Sequence, residues 1–183
     1  MRHYRSVLPA AVLSRRVLIR SALGMAAAAI VSPLLKVVLA APLSDAPWPL
    51  ATDLAADGAA ARQSGKPILL YFQRRDCPFC LRAAPYLRAL ALSHGDQALF
   101  RTVEADRPDL PVRDFAGAAT NHAALARALH GILTPSVLAV APNGEPLVAP
   151  LVGLADESFY SYYLQRLVEE AAAKTKRPME PIR

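Results

Sequence analysis

Three features of this 183-residue sequence predict an α/β domain. Short apolar runs at 68–72, 100–105 and 137–140 have the length and polar flanks of buried strands. Longer segments between them carry apolar residues at helical spacing, so strand and helix alternate as they do in layered α/β domains. One apolar core is within reach of the composition, which is 54% hydrophobic and 20% charged.

The elements follow in order. Residues 41–49 are Pro-rich around Trp48, the lone tryptophan, and read as a linker or N-terminal arm. Residues 50–63 form a first helix, stopped at Ser64-Gly65-Lys66-Pro67. The unbroken run 68–72 is a strand covered on both faces. A helix starts at Pro78 and ends near His94-Gly95, with Leu81, Ala84, Leu87 and Leu90 expected inward and Pro85 bending it. The strand at 100–105 is followed by a loop or insertion, 109–120. Asn121 caps a helix reaching His130-Gly131, with Leu125 and Leu129 inward. After Thr134-Pro135 comes the strand 137–140, and Pro142-Asn143-Gly144-Glu145 turns it into a fourth strand over 147–152. A last helix opens at Asp156, with Phe159, Tyr163, Leu167 and Val168 inward, and fades into a charged tail, 175–183.

The only two cysteines stand in Cys77-Pro78-Phe79-Cys80, between the first strand and its helix. A helix beginning here places Cys77 among unpaired backbone N–H groups at the positive end of the dipole, which favours thiolate over thiol. Pro78 fits the first helical position, where no N–H partner is needed, and Phe79 offers an apolar lip. The spacing alone also serves a structural disulfide, a pair of core cysteines or half a zinc site. Zinc fits worst: it needs about four ligands, and His94, His122 and His130 have neither a second Cys-x-x-Cys nor metal-binding His spacing. No metal site is predicted.

The order strand, Cys-x-x-Cys, bent helix, strand, helix, Thr-Pro, hairpin, Gly, helix resembles the thioredoxin fold across residues 50–174. The resemblance implies a mixed sheet of four to five strands flanked by helices. Pro85 matches the proline that kinks the active-site helix in that family, and Thr134-Pro135 matches its cis-proline position beside the disulfide. By the same resemblance Cys77 is the attacking sulfur, Cys80 the resolving one, and Pro135 helps present backbone groups to a partner, with Thr134, Pro78 and Phe79 in support. Two departures stand out. Tyr71 occupies the place of a buried acidic residue in the central strand, and Gln73 and Asp76 replace tryptophans ahead of the first cysteine.

The net charge of +6 lies wholly at the N-terminus: residues 1–40 hold six of the 21 cations and none of the 15 acids, leaving 15 of each sign. The folded part therefore has no basic excess for nucleic acid. Arg15-Arg16 ahead of the apolar run 22–31 has the layout of an export signal and resembles the twin-arginine type, with cleavage expected after Ala40; a tethered form is the alternative. The expectation is a monomeric periplasmic thiol–disulfide oxidoreductase without a dissociable cofactor, acting on protein disulfides or thiols and served by a membrane-associated redox partner. Its rival is a non-catalytic copper(I)-binding protein using the same two thiolates.

Overall fold

The computed structural model describes residues 46–154 and 156–176. The segment read as an export signal, residues 41–45 and the end of the tail lie outside them. Among the described residues no helix is long and apolar enough to cross a membrane.

The central strand, β1 (Ile68–Gln73), is buried along its whole length. It pairs in parallel with β2 (Leu99–Glu104) on one side. On the other it pairs antiparallel with β5 (Ser136–Val140), which in turn pairs with β6 (Leu151–Val152). The sheet order is β2-β1-β5-β6. Alternation along the strands sorts the core into two layers. Leu69, Tyr71, Phe100 and Val137 face α2 (Pro78–His94) and α4 (Tyr160–Lys176), whereas Ile68, Leu70, Phe72 and Leu138 face α1 (Leu54–Ser64) and α3 (His122–Ala128). A four-stranded mixed sheet with helices on both faces is the thioredoxin fold.

Both helices on the second face begin at a side-chain cap. Asp53 accepts from Ala56 N–H and Asn121 from Ala124 N–H, each at 2.9 Å. Residues 46–50 form an arm rather than a free linker. Leu50 bridges Thr102 in parallel, Thr102 donates to the carbonyls of Trp48 and Pro49, and the Trp48 indole donates to the Leu87 carbonyl at 2.8 Å. The arm thus covers the outer edge of β2.

Several expected details are corrected. Residues 109–120 are not an irregular loop: β3 (Pro111–Arg113) and β4 (Ala119–Asn121) form a small hairpin, its turn held by Asp114 Oδ1 accepting from Ala116 and Ala118 N–H. The fourth strand shrinks to Leu151–Val152, because Pro146 and Pro150 have no N–H to give the ladder. Leu81 points outward at 64% exposure, since Cys80 turns inward and sets the buried stripe at Cys80, Ala83, Ala84, Leu87 and Leu90. Phe159, just ahead of α4, and Tyr163 within it are exposed, and Tyr160 and Leu164 are buried instead. A steady spacing of four drifts about 40° per step from a 3.6-residue turn, so a stripe traced back from Leu167 by fours leaves the core.

Candidate active site: the disulfide at the start of α2

Cys77 ends the loop after β1 and is the N-cap of α2, in extended conformation with φ −127°. Pro78 takes the first helical turn, and Pro85 lies inside the helix. Cys77 and Cys80 form a disulfide with Cα atoms 5.2 Å apart. The Cys80 N–H is shared between the Cys77 carbonyl at 3.0 Å and Cys77 Sγ at 3.1 Å, so the first turn of the helix offers a backbone donor to that sulfur. Burial separates the two sulfurs only in degree. Cys77 is 8% exposed and Cys80 3%.

Fifty-seven residues along the chain, the Thr134–Pro135 peptide bond is cis. The Thr134 hydroxyl lies 3.6 Å from Cys77 Sγ as a donor. The site therefore has two donors on one sulfur, one from the helix backbone and one from the loop before β5. Phe79 is half-exposed, with the Arg82 guanidinium 5.6 Å from its ring centroid, and Arg82 pairs with Glu157. Arg75, in the loop ahead of Cys77, pairs with Asp106 at 3.2 Å.

Beneath the disulfide lies a polar-edged aromatic layer. Tyr71 is fully buried and donates its hydroxyl to the Cys80 carbonyl at 3.3 Å. Burial raises its pKa, and the nearby Tyr160 and Glu104 raise it further, so the phenol holds its proton. Burial likewise pushes Tyr160 up to about 12. Glu104 shares the Tyr71 face by strand alternation and accepts from Gln73 Nε2 at 2.9 Å. Its other oxygen and the Tyr160 hydroxyl are buried with no hydrogen-bond partner among the described residues.

Trp48, Gln73 and Glu104 were not legible as neighbours of the site. The available signals were the lone tryptophan and the acid ending a strand next to the cysteine loop. His94 bonds Ser93 at the end of α2, His122 is buried beside Ala51 and Glu104, and His130 is exposed after α3. Among the described residues no three His, Cys, Asp or Glu side chains are grouped to hold a metal ion.

The sheet order and the Cys-x-x-Cys at the first turn after the central strand are the arrangement of the thioredoxin fold. The Cys77–Cys80 disulfide is a bond that can open and close by thiol–disulfide exchange. No family model matches the sequence, and no curated protein does. Among solved structures it is similar to a thioredoxin from Fasciola hepatica, at 20% identity over 64% of this chain and 97% of that one, with TM-score 0.44. It is also similar to mitochondrial thioredoxin 3 from Saccharomyces cerevisiae (14% identity, 67% of this chain and 94% of that one, 0.47). Thioredoxin O2 from Arabidopsis thaliana gives 17%, 69% and 96%, and 0.46.

Proposed function

We propose that this chain is an exported, monomeric thiol–disulfide oxidoreductase that exchanges disulfides with proteins of the periplasm, using Cys77 and Cys80 and no dissociable cofactor. The observation that carries the reading is the pair of donors on Cys77 Sγ, Cys80 N–H at 3.1 Å and Thr134 Oγ1 at 3.6 Å. Both favour a thiolate there once the disulfide is open.

In the reducing direction, the Cys77 thiolate attacks a partner disulfide. A Cys77–partner bond forms, and one partner sulfur leaves as thiolate and takes up a proton. Cys80 then loses its proton and attacks Cys77 Sγ; the internal disulfide forms and the second partner sulfur leaves. The partner gains two electrons and the chain loses two. The reverse sequence oxidises the partner. Pro78 holds the first turn, Phe79 forms an apolar lip, and Pro135 with Thr134 fixes the loop against the attacking sulfur. Electrons come from or go to a membrane-associated partner, and residues 1–40 direct export with cleavage after Ala40.

Trapping tests the roles. Cys80→Ser is expected to accumulate partner complexes that vanish with reductant, while Cys77→Ser accumulates few and loses activity. Trapping by Cys80 alone would reverse the assignment. Trapping by neither, with copper(I) recovered from anaerobically purified reduced protein, would replace it with metal binding. Arg15→Lys with Arg16→Lys is expected to leave precursor in the cytoplasm, and normal export of that double variant would remove the twin-arginine reading.

A further inference from the structure

Cys80 is held at both ends of its backbone. Its N–H donates to Cys77 Sγ at 3.1 Å, sharing the proton with the Cys77 carbonyl at 3.0 Å, and its carbonyl accepts from Tyr71 Oη at 3.3 Å. The second contact comes from the centre of the sheet, since Tyr71 is fully buried on β1 with a strand on each side. The helix has particular need of such a tether. Pro85 has no N–H for the Leu81 carbonyl, so the turn bearing the cysteines is less firmly tied to the rest of α2. On the far side of the proline, Trp48 Nε1 donates to the Leu87 carbonyl at 2.8 Å. The Trp48 and Tyr71 rings meet edge-on with centroids 5.8 Å apart. Two touching aromatic donors thus hold backbone carbonyls in the two halves of one interrupted helix, Tyr71 in the half with the sulfurs and Trp48 in the other.

Resting on the oxidoreductase reading above, we propose that Tyr71 is a positioning residue for thiol–disulfide exchange: its hydroxyl holds the Cys80 backbone so that the Cys80 N–H stays aimed at Cys77 Sγ, and so sets how readily Cys77 becomes a thiolate. The hydroxyl touches neither sulfur nor substrate. Burial keeps the phenol protonated, so this donor does not switch off across the physiological range.

The test is the pH profile of Cys77 alkylation by iodoacetamide in the reduced full-length chain. Loss of this one neutral hydrogen bond is expected to move the midpoint by roughly 0.4 units. Tyr71→Phe is expected to raise the midpoint by about that much, slowing alkylation two- to threefold below it and leaving the high-pH plateau unchanged. Tyr71→3-fluorotyrosine, an isosteric and stronger donor, is expected to lower it. Trp48→Phe removes the other tether and is expected to lower the melting temperature without moving the midpoint. A midpoint unmoved in both Tyr71 variants overturns the proposal, as does a shift of equal size in Trp48→Phe. If the wild type itself shows Cys80 alkylated first, the assignment of Cys77 as the attacking sulfur falls and the proposal with it; Cys77 first with unmoved Tyr71 variants removes the proposal alone.

Discussion

The two faces of the sheet are built from different materials. On the disulfide face, Trp48, Tyr71 and Tyr160 bring polar atoms into the core. The first two donate to carbonyls of α2, while the Tyr160 hydroxyl and one Glu104 oxygen have no partner among the described residues. On the other face, Leu54, Ile68, Leu70, Val103 and Val140 pack around Phe72, and the buried polar groups beside them, Asp57 and His122, have partners. Arg101 pairs with Asp57 there, donating at 2.8 Å, and His122 is bonded through both ring nitrogens. An apolar layer needs only shape to be stable. A layer with buried polar atoms needs directions satisfied as well, and where some are left open it holds groups whose state can change. The chemistry sits on the second kind of layer, and the first kind holds the frame.

The largest expected effect breaks the disulfide face. Trp48 is 2% exposed, touches Tyr71 and Phe100, and joins the arm to α2. Trp48→Ala leaves a cavity and an unpaired Leu87 carbonyl, and is expected to cost about 3–5 kcal/mol in urea unfolding. A cost near 1 kcal/mol would show that the arm is an accessory. Next comes the opposite face. A methyl group at Gly131 would lie 2.2–2.4 Å from Phe72 ring atoms, and that ring is fully buried. Gly131→Ala is expected to cost about 2–3 kcal/mol, partly recovered by adding Phe72→Leu. A double variant no more stable than the single would place the strain elsewhere.

How much of this was legible follows from the same contrast. The three principal strands and the Asn121 cap are local patterns of apolar runs and turn residues, and the sequence displays them directly. The hairpin at 111–121 was missed because three-residue strands with one inward valine have no period to read. The cysteine pair declares itself by spacing, but Thr134 meets Cys77 only through folding, and only the resemblance placed them together. Trp48, Gln73 and Glu104 join the disulfide face through strand register and an arm docked 39 residues from its acceptor, information no window of sequence holds. The outward turn of Leu81 follows from Cys80 facing inward, which hydrophobicity alone cannot rank.

A smaller effect sharpens the comparison by pH. His122 Nδ1 accepts from Glu104 N–H at 3.0 Å, so Nε2 carries the proton and donates to the Ala51 carbonyl at 2.8 Å. A second ring proton would face the Glu104 N–H, and burial, the main cause, lowers the pKa below 6.5; the Ala51 bond opposes it. Above pH 6.5 both folded and unfolded chains hold the ring neutral and its stability is fully present. As pH falls below 6.5 the unfolded chain takes up a proton that the folded one resists, and stability is lost by up to about 1.4 kcal/mol per pH unit until the folded pKa is reached. Asp109, kept down to about 2 by the Arg107 hydrogen bond, does not titrate in that window. His122→Gln is expected to be less stable at pH 7.5 and to lose less between pH 7.5 and 5. An equally steep loss in the variant would assign the slope to another group.

The smallest expected effect lies on the segment joining the frame to the site. His130 has φ +56°, and its position is the left-handed one that closes a helix: its N–H reaches the Arg127 carbonyl and that of Gly131 the Ala126 carbonyl at 2.8 Å. Its side chain is exposed. Glycine adopts this backbone without the Cβ crowding that histidine tolerates, although it gives up freedom in the unfolded chain. His130→Gly is therefore expected to stabilise by about 0.5–1 kcal/mol, and His130→Val to destabilise by about as much, since a β-branched residue fits that region worst. Because the strain is confined to a surface turn four residues before Thr134, the alkylation profile of Cys77 is expected to stay unchanged in both. A shifted profile with unchanged melting would mean that the backbone at His130 sets the Thr134 hydroxyl, and the line between frame and site would have to be drawn four residues earlier.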